Sequence, residues 1–261
     1  MLNLTPMVRN LLFLNLGMML LTSAFMPNLM GWLALYPVQS ELFQPFQFIT
    51  YMFLHGGLMH IFGNMFGLIS FGPMLEQRWG AQRFLMFWMI CGVGAGLLYT
   101  GIRYYEVNQM NNDRQAFRKA PSPVRLVDYY EDHASMYRGY EELARAMKSD
   151  PTNAGYIDAA VKSVDGAYQD ALRVPMVGAS GAIFGILLAF AYLFPNTELM
   201  LLFFPFPIKA KYFVTLYGIY ELYAGVQRNP GDNVAHFAHL GGMLFGFLLL
   251  KYWEKNQSRF Y

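Results

Sequence analysis

Long apolar windows separated by short polar segments dominate the sequence. A helix that crosses a bilayer needs about 17–25 mostly apolar residues. Windows of that order without Asp, Glu, Lys or Arg cover residues 10–40, 42–75, 84–102, 174–197 and 233–250. A sixth window, 212–226, is interrupted only by Glu221. The pattern therefore predicts an all-α, polytopic membrane protein with six transmembrane helices.

Charged residues concentrate between the third and fourth windows. Of 19 Lys and Arg residues and 17 Asp and Glu residues, 10 and 11 lie between Arg103 and Arg173. Helix-like stretches there, Leu126–Met147 and Ala154–Leu172, are separated by breakers such as Asp150-Pro151. We predict four parts: helices one to three in 1–102, a mostly helical extracytoplasmic polar insert in 103–173, helices four to six in 174–252, and a cytoplasmic tail in 253–261.

The overall composition supports a membrane protein. Hydrophobic residues make up 55% of the chain and charged residues 14%, against about 25% charged in soluble domains. This composition excludes disordered, collagenous and nucleic-acid-binding classes. The only cysteine, Cys91, lies in an apolar window, so a disulfide framework and a cysteine-based zinc site are also excluded.

The short loops and tails predict the orientation of the chain. With six spans, one side receives Arg9, Arg78, Arg83, Lys209, Lys211, Lys251, Lys255 and Arg259. The short loops of the opposite side contribute only Arg228. Because Lys and Arg accumulate on the cytoplasmic side, both termini are predicted to be cytoplasmic. A cleaved signal peptide ending at Ala24 is the alternative for the first window, but its removal leaves an inconsistent charge count.

A serine and a histidine are predicted to meet inside the membrane. Ser180 and His239 each lie six residues inside the outer edge of their windows, about 9 Å deep at 1.5 Å per residue. Gly181 and Gly185 in span four, with Gly242 and Gly246 in span six, form small-xxx-small pairs that let helices approach closely. The pattern favours a dyad in which His239 takes the proton of Ser180. Plain helix packing beside an incidental serine is the alternative.

Other polar residues in the apolar windows are also candidates, because such residues are costly in lipid. His60 and Asn64 share one face of span two and could donate hydrogen bonds to an oxyanion, together with the Ser180 amide; simple interhelical bonding is the alternative. His55 and His236 are interpreted as structural. Glu221 is interpreted as a structural or water-facing residue rather than as one that orients a histidine.

These residues resemble the motifs of the rhomboid intramembrane serine proteases. The resemblance depends on His60-x-x-x-Asn64, on Gly178-x-Ser180-Gly181 and on Ala238-His239 followed by Gly242, with Glu76-x-x-x-Gly80 as a further match. It covers roughly residues 50–102 and 174–252.

The resemblance implies Ser180 as nucleophile, His239 as general base, and His60, Asn64 and the Ser180 amide as the oxyanion hole. It also implies a water-filled cavity open to the outside, no metal and no cofactor. The expected partners are the lipid bilayer and single-pass transmembrane substrates, with no nucleic acid. We expect a multi-pass protein of the bacterial cytoplasmic membrane.

Several alternatives stay open. The chain could be a rhomboid-like protein that binds membrane clients without cutting them, or a histidine-based ion transporter. The polar insert is either a substrate exosite or a tolerated loop elaboration. The segment 225–233 is rich in turn formers and is a candidate cap over the cavity. The first loop, 25–49, lacks the arginine that many family members carry there, so its anchoring is not predicted.

Overall fold

The fold is mostly helical, as predicted. The computed structural model describes residues 4–201, 204–227 and 234–257. Its helices are α1 (Pro6–Leu20), α2 (Asn28–Leu33), α3 (Gln47–Thr50), α4 (Leu58–Trp79), α5 (Ala81–Lys119), α6 (Pro123–His133), α7 (Tyr140–Ser149), α8 (Ala154–Arg173), α9 (Ser180–Leu193), α10 (Ala210–Gln227) and α11 (His236–Gln257). Strands β1 (Glu198–Leu201) and β2 (Phe204–Lys209) form an antiparallel hairpin between α9 and α10, which the apolar windows did not predict.

Several helices are suited to a membrane. Within the described ranges, α4, α5 and α1 with its π-helical continuation to Phe25 are long and apolar enough to cross one, and α9 is a shorter apolar helix. The charge-free window 10–40 is longer than its helix, which ends at Phe25 just before Pro27. Residues 26–40, with the short α2, belong to the predicted first loop, 25–49.

The N-terminus of α1 is fixed by a buried carboxylate in α4. Glu76 accepts hydrogen bonds from the Met7 and Val8 amides, at 2.9 and 2.8 Å, and from the Thr5 hydroxyl. The first amides of a helix lack intrahelical partners, and the helix dipole favours negative charge there. Glu76 therefore caps α1 from a neighbouring helix. It lies in the last turn of α4, whereas the sequence pattern placed it just after the span.

A single buried amide organises the first loop. The side chain of Gln47 accepts hydrogen bonds from the Tyr36 and Gln44 amides and donates to the Trp32 and Leu42 carbonyls, at 2.9–3.3 Å. Four bonds to one fully buried side chain satisfy backbone groups that would otherwise be costly in an apolar environment. Gln47 thus holds the first loop together through hydrogen bonds within it. The loop lacks the arginine that many family members carry there.

Helix α5 is one continuous rod of 39 residues, and the third predicted span ends inside it. Its outer part packs against α6 and α8 around a second hydrophobic core that includes Met110, Phe117, Leu126 and Val164. The stretch predicted as helical from Leu126 to Met147 is two helices, α6 and α7, interrupted at 134–139. The polar insert therefore has its own core on an extension of a membrane helix.

The main core lies where α11 packs against α5 and α9. At one end of this bundle the Trp79 ring, in the last turn of α4, packs at 5.3 Å from the Trp253 ring near the end of α11. The N-termini of α4, α9 and α11 are therefore grouped at the opposite end. The polar residues predicted from the sequence lie there, on the side from which α5 extends into the insert.

Candidate active site

The residues just before Ser180 form backbone hydrogen bonds with two other segments of the chain. Met176 and Leu35 exchange two backbone hydrogen bonds of 2.8 and 3.0 Å, and the Gly178 amide donates to the Tyr51 carbonyl at 2.9 Å. Ser180 is the first residue of α9, so residues 174–179 are not helical and the predicted helical depth for Ser180 is wrong. His239, in the first turn of α11, lies at a corresponding position. Both residues therefore lie at the N-terminal ends of their helices.

Gly178 has a conformation and a location that exclude a side chain. Its φ of +129° is rarely adopted by residues with a Cβ. A Cβ at this position would lie 2.7 Å from His60 Nε2 and 3.8 Å from Asn64 Nδ2. The absent side chain therefore lets His60 and Asn64 approach the backbone two residues before Ser180.

A glycine seam brings α9 and α11 together. A Cβ on Gly242 would overlap the backbone carbonyl of Gly181, and one on Gly246 would lie 3.3 Å from the Cα of Gly185. The four glycines predicted from the small-xxx-small pattern thus face one another in two pairs. Backbone-to-backbone contact of this kind allows a short side chain on one helix to reach the other.

The structure brings Ser180 and His239 into hydrogen-bond contact. Ser180 Oγ and His239 Nε2 are 2.9 Å apart. The His239 ring stacks on the Phe184 ring, with centroids 4.1 Å apart and an interplanar angle of 7°. Ser180 is half-buried, and His239 is buried. This is the geometry of a nucleophile beside a general base whose ring plane is fixed by packing.

Glu221 corrects one interpretation made from the sequence. It does not face water, since its side chain is 2% exposed. Its Oε2 lies 2.8 Å from His239 Nδ1 and 2.6 Å from His236 Nδ1. Glu221 therefore contacts the histidine that was paired with Ser180, and His236 shares the same oxygen. The contact joins α10 to α11.

The signal for Glu221 was present in the sequence. Counted from Val226, the edge of its apolar window, Glu221 is five residues deep, or about 7.5 Å. This is close to the depth of about 9 Å predicted for His239, and successive membrane helices joined by a short loop are neighbours. A comparison of the depth of Glu221 with the depths of Ser180 and His239 would have predicted that the three side chains lie together.

His60 and Asn64 lie on one face of α4 and line the same cavity as Ser180. His60 Nδ1 accepts a hydrogen bond of 3.4 Å from the Gly56 amide, which leaves Nε2 as the protonated nitrogen. Asn64 is buried, and its Nδ2 has no hydrogen-bond partner among the described residues. Two side-chain donors, His60 Nε2 and Asn64 Nδ2, thus lie near the turn before Ser180. The Asn64 donor has no acceptor among the described residues. His55 is fully buried against the His60 ring, at 5.2 Å, and does not line the cavity.

A cavity of about 1480 Å³ connects these residues to the polar insert. Its inner wall includes Ser180, His239, His60 and Asn64. Its outer wall includes residues from the polar insert, namely Met110, His133, Met136, Tyr137, Asp170 and Ala171. The candidate site is therefore continuous with the surface of the insert.

Comparison with known families gives a family for this chain. The family model of the Rhomboid domain matches residues 42–107 and 152–254. The chain belongs to the rhomboid family. The match leaves residues 108–151 uncovered, and these lie within the polar insert. Rhomboid membership and the apolar helices together make this an integral membrane protein.

Curated rhomboid proteins from fungi and plants are similar to this chain. An uncharacterized mitochondrial rhomboid protein of Schizosaccharomyces pombe is 27% identical over 215 residues, which are 80% of this chain and 51% of the relative. RHOMBOID-like protein 12, mitochondrial, of Arabidopsis thaliana is 26% identical over 214 residues, 81% of this chain and 47% of the relative. Rhomboid protein 1, mitochondrial, of Saccharomyces cerevisiae is 38% identical over 89 residues, 33% and 25% of the two chains. This rhomboid spans at most about half the length of these relatives.

Two predictions made from the sequence are not supported by these findings. The mitochondrial names of the relatives do not fit the bacterial cytoplasmic membrane predicted above. The candidate cap of the rhomboid, 225–233, lies mostly outside the described residues, which resume at Val234.

Proposed function

We propose that this rhomboid is an intramembrane serine endopeptidase. It would cut single-pass transmembrane proteins near the outer boundary of the membrane, through an acyl-enzyme on Ser180. The observation that carries the proposal is the 2.9 Å contact between Ser180 Oγ and His239 Nε2 in a cavity. Rhomboid membership supports it, since protease activity is typical of the family.

In the proposed reaction, Ser180 and His239 act both in forming the acyl-enzyme and in its hydrolysis. His239 Nε2 accepts the Ser180 hydroxyl proton as Oγ attacks the substrate carbonyl, and it returns a proton to the leaving amine. Water then enters the cavity and hydrolyses the ester by the same proton transfers in reverse. The scissile peptide must leave helical hydrogen bonding to be attacked, so substrates with unstable helices are favoured.

The negative charge that develops on the substrate oxygen has three candidate donors. The Ser180 amide is the first amide of α9, where amides lack intrahelical partners and the helix dipole favours an anion. His60 Nε2 and Asn64 Nδ2 flank Gly178 just before it. Together they support the oxyanion hole implied by the family motifs.

The test is cleavage after reconstitution. The purified chain and a generic single-pass transmembrane substrate are placed in liposomes, and the products are identified by mass spectrometry. We expect a cut at or near the membrane boundary that a serine-reactive fluorophosphonate blocks. An intact substrate, under conditions where the chain remains folded, would overturn the proposal.

Asn64→Ala tests the oxyanion hole. Removal of one such donor costs about 10²–10³-fold in kcat. We therefore expect that loss in the liposome assay with a KM within a few-fold of wild type, because the donor acts mainly in the transition state. Met74→Ala is the control, because Met74 is an exposed residue of the same helix that does not line the cavity. Unchanged turnover by Asn64→Ala would remove this residue from the oxyanion hole.

We also propose that the polar insert is outside the membrane and contacts the substrate as an exosite. The support is the continuity of the cavity from Ser180 to Met136 and Tyr137. Tyr137 donates a hydrogen bond of 2.6 Å to Asp170, and burial together with that carboxylate raises the pKa of Tyr137 to about 12. Tyr137 is therefore a neutral, fixed part of the wall at physiological pH. A substrate segment that leaves the site outward would pass these residues.

Met136→Asp tests the exosite. Met136 is 58% exposed on the cavity wall, and Val124 is 68% exposed on the insert outside that wall. We expect Met136→Asp to raise KM severalfold or to change which substrates are cut, because a charge replaces apolar contact. Val124→Asp, the matched control, should cleave like wild type. If both variants cleave the same substrates with equal KM, the insert is not an exosite.

One alternative, a histidine-based metal or ion site, has a structural observation in its favour. Glu221, His236 and His239 present ligand atoms within 4.8 Å of one another, so the histidines do have an acidic partner. Zinc ligands lie about 2.0–2.2 Å from the ion, which separates tetrahedral ligands by about 3.3–3.6 Å. The observed separations of 2.6 and 2.8 Å are those of direct hydrogen bonds. Ser180-dependent fluorophosphonate labelling supports the protease, and zinc-dependent protection of the histidines supports the alternative.

The membrane arrangement of this protease is part of the proposal. Six spans with both termini on the cytoplasmic side follow from the apolar windows and from the Lys and Arg residues of the short loops. The grouping of the α4, α9 and α11 N-termini at the end opposite Trp79 and Trp253 supports an outer position for the site. The bacterial membrane stays a prediction from the sequence.

A further inference from the structure

Rhomboid motifs supply the serine and the histidine, and α10 supplies a carboxylate behind that histidine. Glu221 is buried, and one oxygen, Oε2, meets both His239 Nδ1 and His236 Nδ1. A carboxylate oxygen only accepts hydrogen bonds. Each histidine must therefore carry its proton on Nδ1.

The position of that proton decides what His239 can do. With Nδ1 protonated, a neutral His239 has its lone pair on Nε2, which lies 2.9 Å from Ser180 Oγ. Nε2 can then accept the serine proton. The opposite tautomer would direct an N–H at the hydroxyl and leave no base. Free imidazole side chains favour the proton on Nε2, so the carboxylate acts against the intrinsic preference.

His236 holds the carboxylate in place. It precedes His239 by three residues, so the two rings project from neighbouring positions of α11 toward the same oxygen. A glutamate side chain has three rotatable bonds, and a second hydrogen bond of 2.6 Å restrains the oxygen beside His239. The Tyr220 ring packs edge-on against His236, at 6.2 Å. The cluster is thus oriented from α10 and from α11.

We propose that Glu221 and His236 are positioning residues for the proposed protease: Glu221 fixes the Nδ1–H tautomer of His239 and stabilises the imidazolium that forms during attack, and His236 fixes Glu221. The inference rests on the proposed function, but it concerns an acid that the Ser-His pair alone does not include. The site then works through a chain of four side chains, ordered Ser180, His239, Glu221 and His236.

Three substitutions at Glu221 separate geometry from charge. Glu221→Gln keeps an acceptor oxygen but loses the charge, and Glu221→Leu removes both. Loss of the correct histidine tautomer in a serine protease costs about 10⁴-fold in kcat. We expect Glu221→Leu to lose about 10³–10⁴-fold in kcat, Glu221→Gln less, and KM to change little in either. Glu221→Asp, which keeps the charge, should be faster than Glu221→Leu.

Glu76→Gln is the matched control. Glu76 is also a buried glutamate of a membrane helix, but its carboxylate caps α1 and contacts none of the histidines. We expect this variant to lose thermal stability and to keep the kcat of wild type per folded molecule. If the lower folded fraction of Glu221→Gln and of Glu76→Gln accounts for the whole loss of activity in each, Glu221 has only a structural role.

A spectroscopic readout tests the tautomer without an activity assay. ¹⁵N histidine NMR of the full chain, assigned with His239→Gln, should show His239 protonated on Nδ1 in wild type and on Nε2 in Glu221→Leu. An Nε2–H form in wild type overturns the inference even if the protease is active. Wild type that shows the Nδ1–H form but cuts nothing would instead count against the proposed function.

Discussion

Ser180→Ala is expected to lower kcat for substrate cleavage on the order of 10⁶-fold, which is the loss seen when a serine protease loses its nucleophile. In the proposed reaction the Ser180 hydroxyl would form the acyl-enzyme, and no other hydroxyl contacts His239 among the described residues. His239→Ala should have a similar effect, because an unassisted serine is a poor nucleophile. The double variant should be no slower than either single variant, since the two residues act as a unit.

The measurement is product formation in liposomes over long incubation, combined with fluorophosphonate labelling of Ser180. Ser149→Ala is a control, because Ser149 is an exposed serine of the insert that bonds only to the Ala146 carbonyl. That variant should cleave and label like wild type. Residual cleavage by Ser180→Ala within tenfold of wild type would show that another group performs the chemistry.

Gly242→Ala is expected to disrupt the bundle more than any other methyl addition at a glycine of the site. The new Cβ would overlap the Gly181 carbonyl, and neither backbone can move without separating α9 from α11. We expect a loss of unfolding free energy of about 3 kcal/mol, at the upper end of the usual overpacking range. Because the same contact sets the distance between Ser180 and His239, kcat should fall by about 10²-fold or more even in the folded fraction.

Thermal unfolding in detergent and cleavage per folded molecule measure the two effects separately. Gly101→Ala is the matched control: Gly101 lies in α5 with no atom within 4 Å of an added Cβ. That variant should be as stable as wild type or slightly more stable, because alanine favours a helix by about 1 kcal/mol over glycine. Equal stability and activity for Gly242→Ala would contradict the close helix contact.

The parts of the site that depend on local spacing were predicted from the sequence. Gly181, Gly185, Gly242 and Gly246 recur at helical spacing, and this regularity indicated which two helices touch. The Ser180 and His239 pairing followed from the same depth argument. The two side chains meet although residues 174–179 are not helical, because Ser180 begins α9 and His239 lies in the first turn of α11.

The features that the sequence did not predict depend on contacts between residues or helices that are not neighbours in the apolar windows. The cap that Glu76 provides for α1 joins it to backbone amides whose need for a partner is visible only once the helix ends are known. The continuation of the third helix to Lys119 was not predicted, because charges at Arg103 and beyond end the apolar window, whereas a helix that leaves lipid can continue with charged faces in water. Glu221 was set aside because a lone acid in an apolar window was judged without its neighbours on α11.

Helix α5 runs without a break from the apolar bundle into the polar insert and so connects the two parts of the chain. At 1.5 Å per residue its 39 residues measure about 58 Å, nearly twice the thickness of the hydrocarbon layer. Its lower half supplies Ala95 against Gly181 and Cys91 against Gly185. A long helix without a break behaves as a rigid rod, so tilting its C-terminal end also tilts its N-terminal half. A force that tilts α6 and α8 would therefore shift the part of α5 that packs against the start of α9.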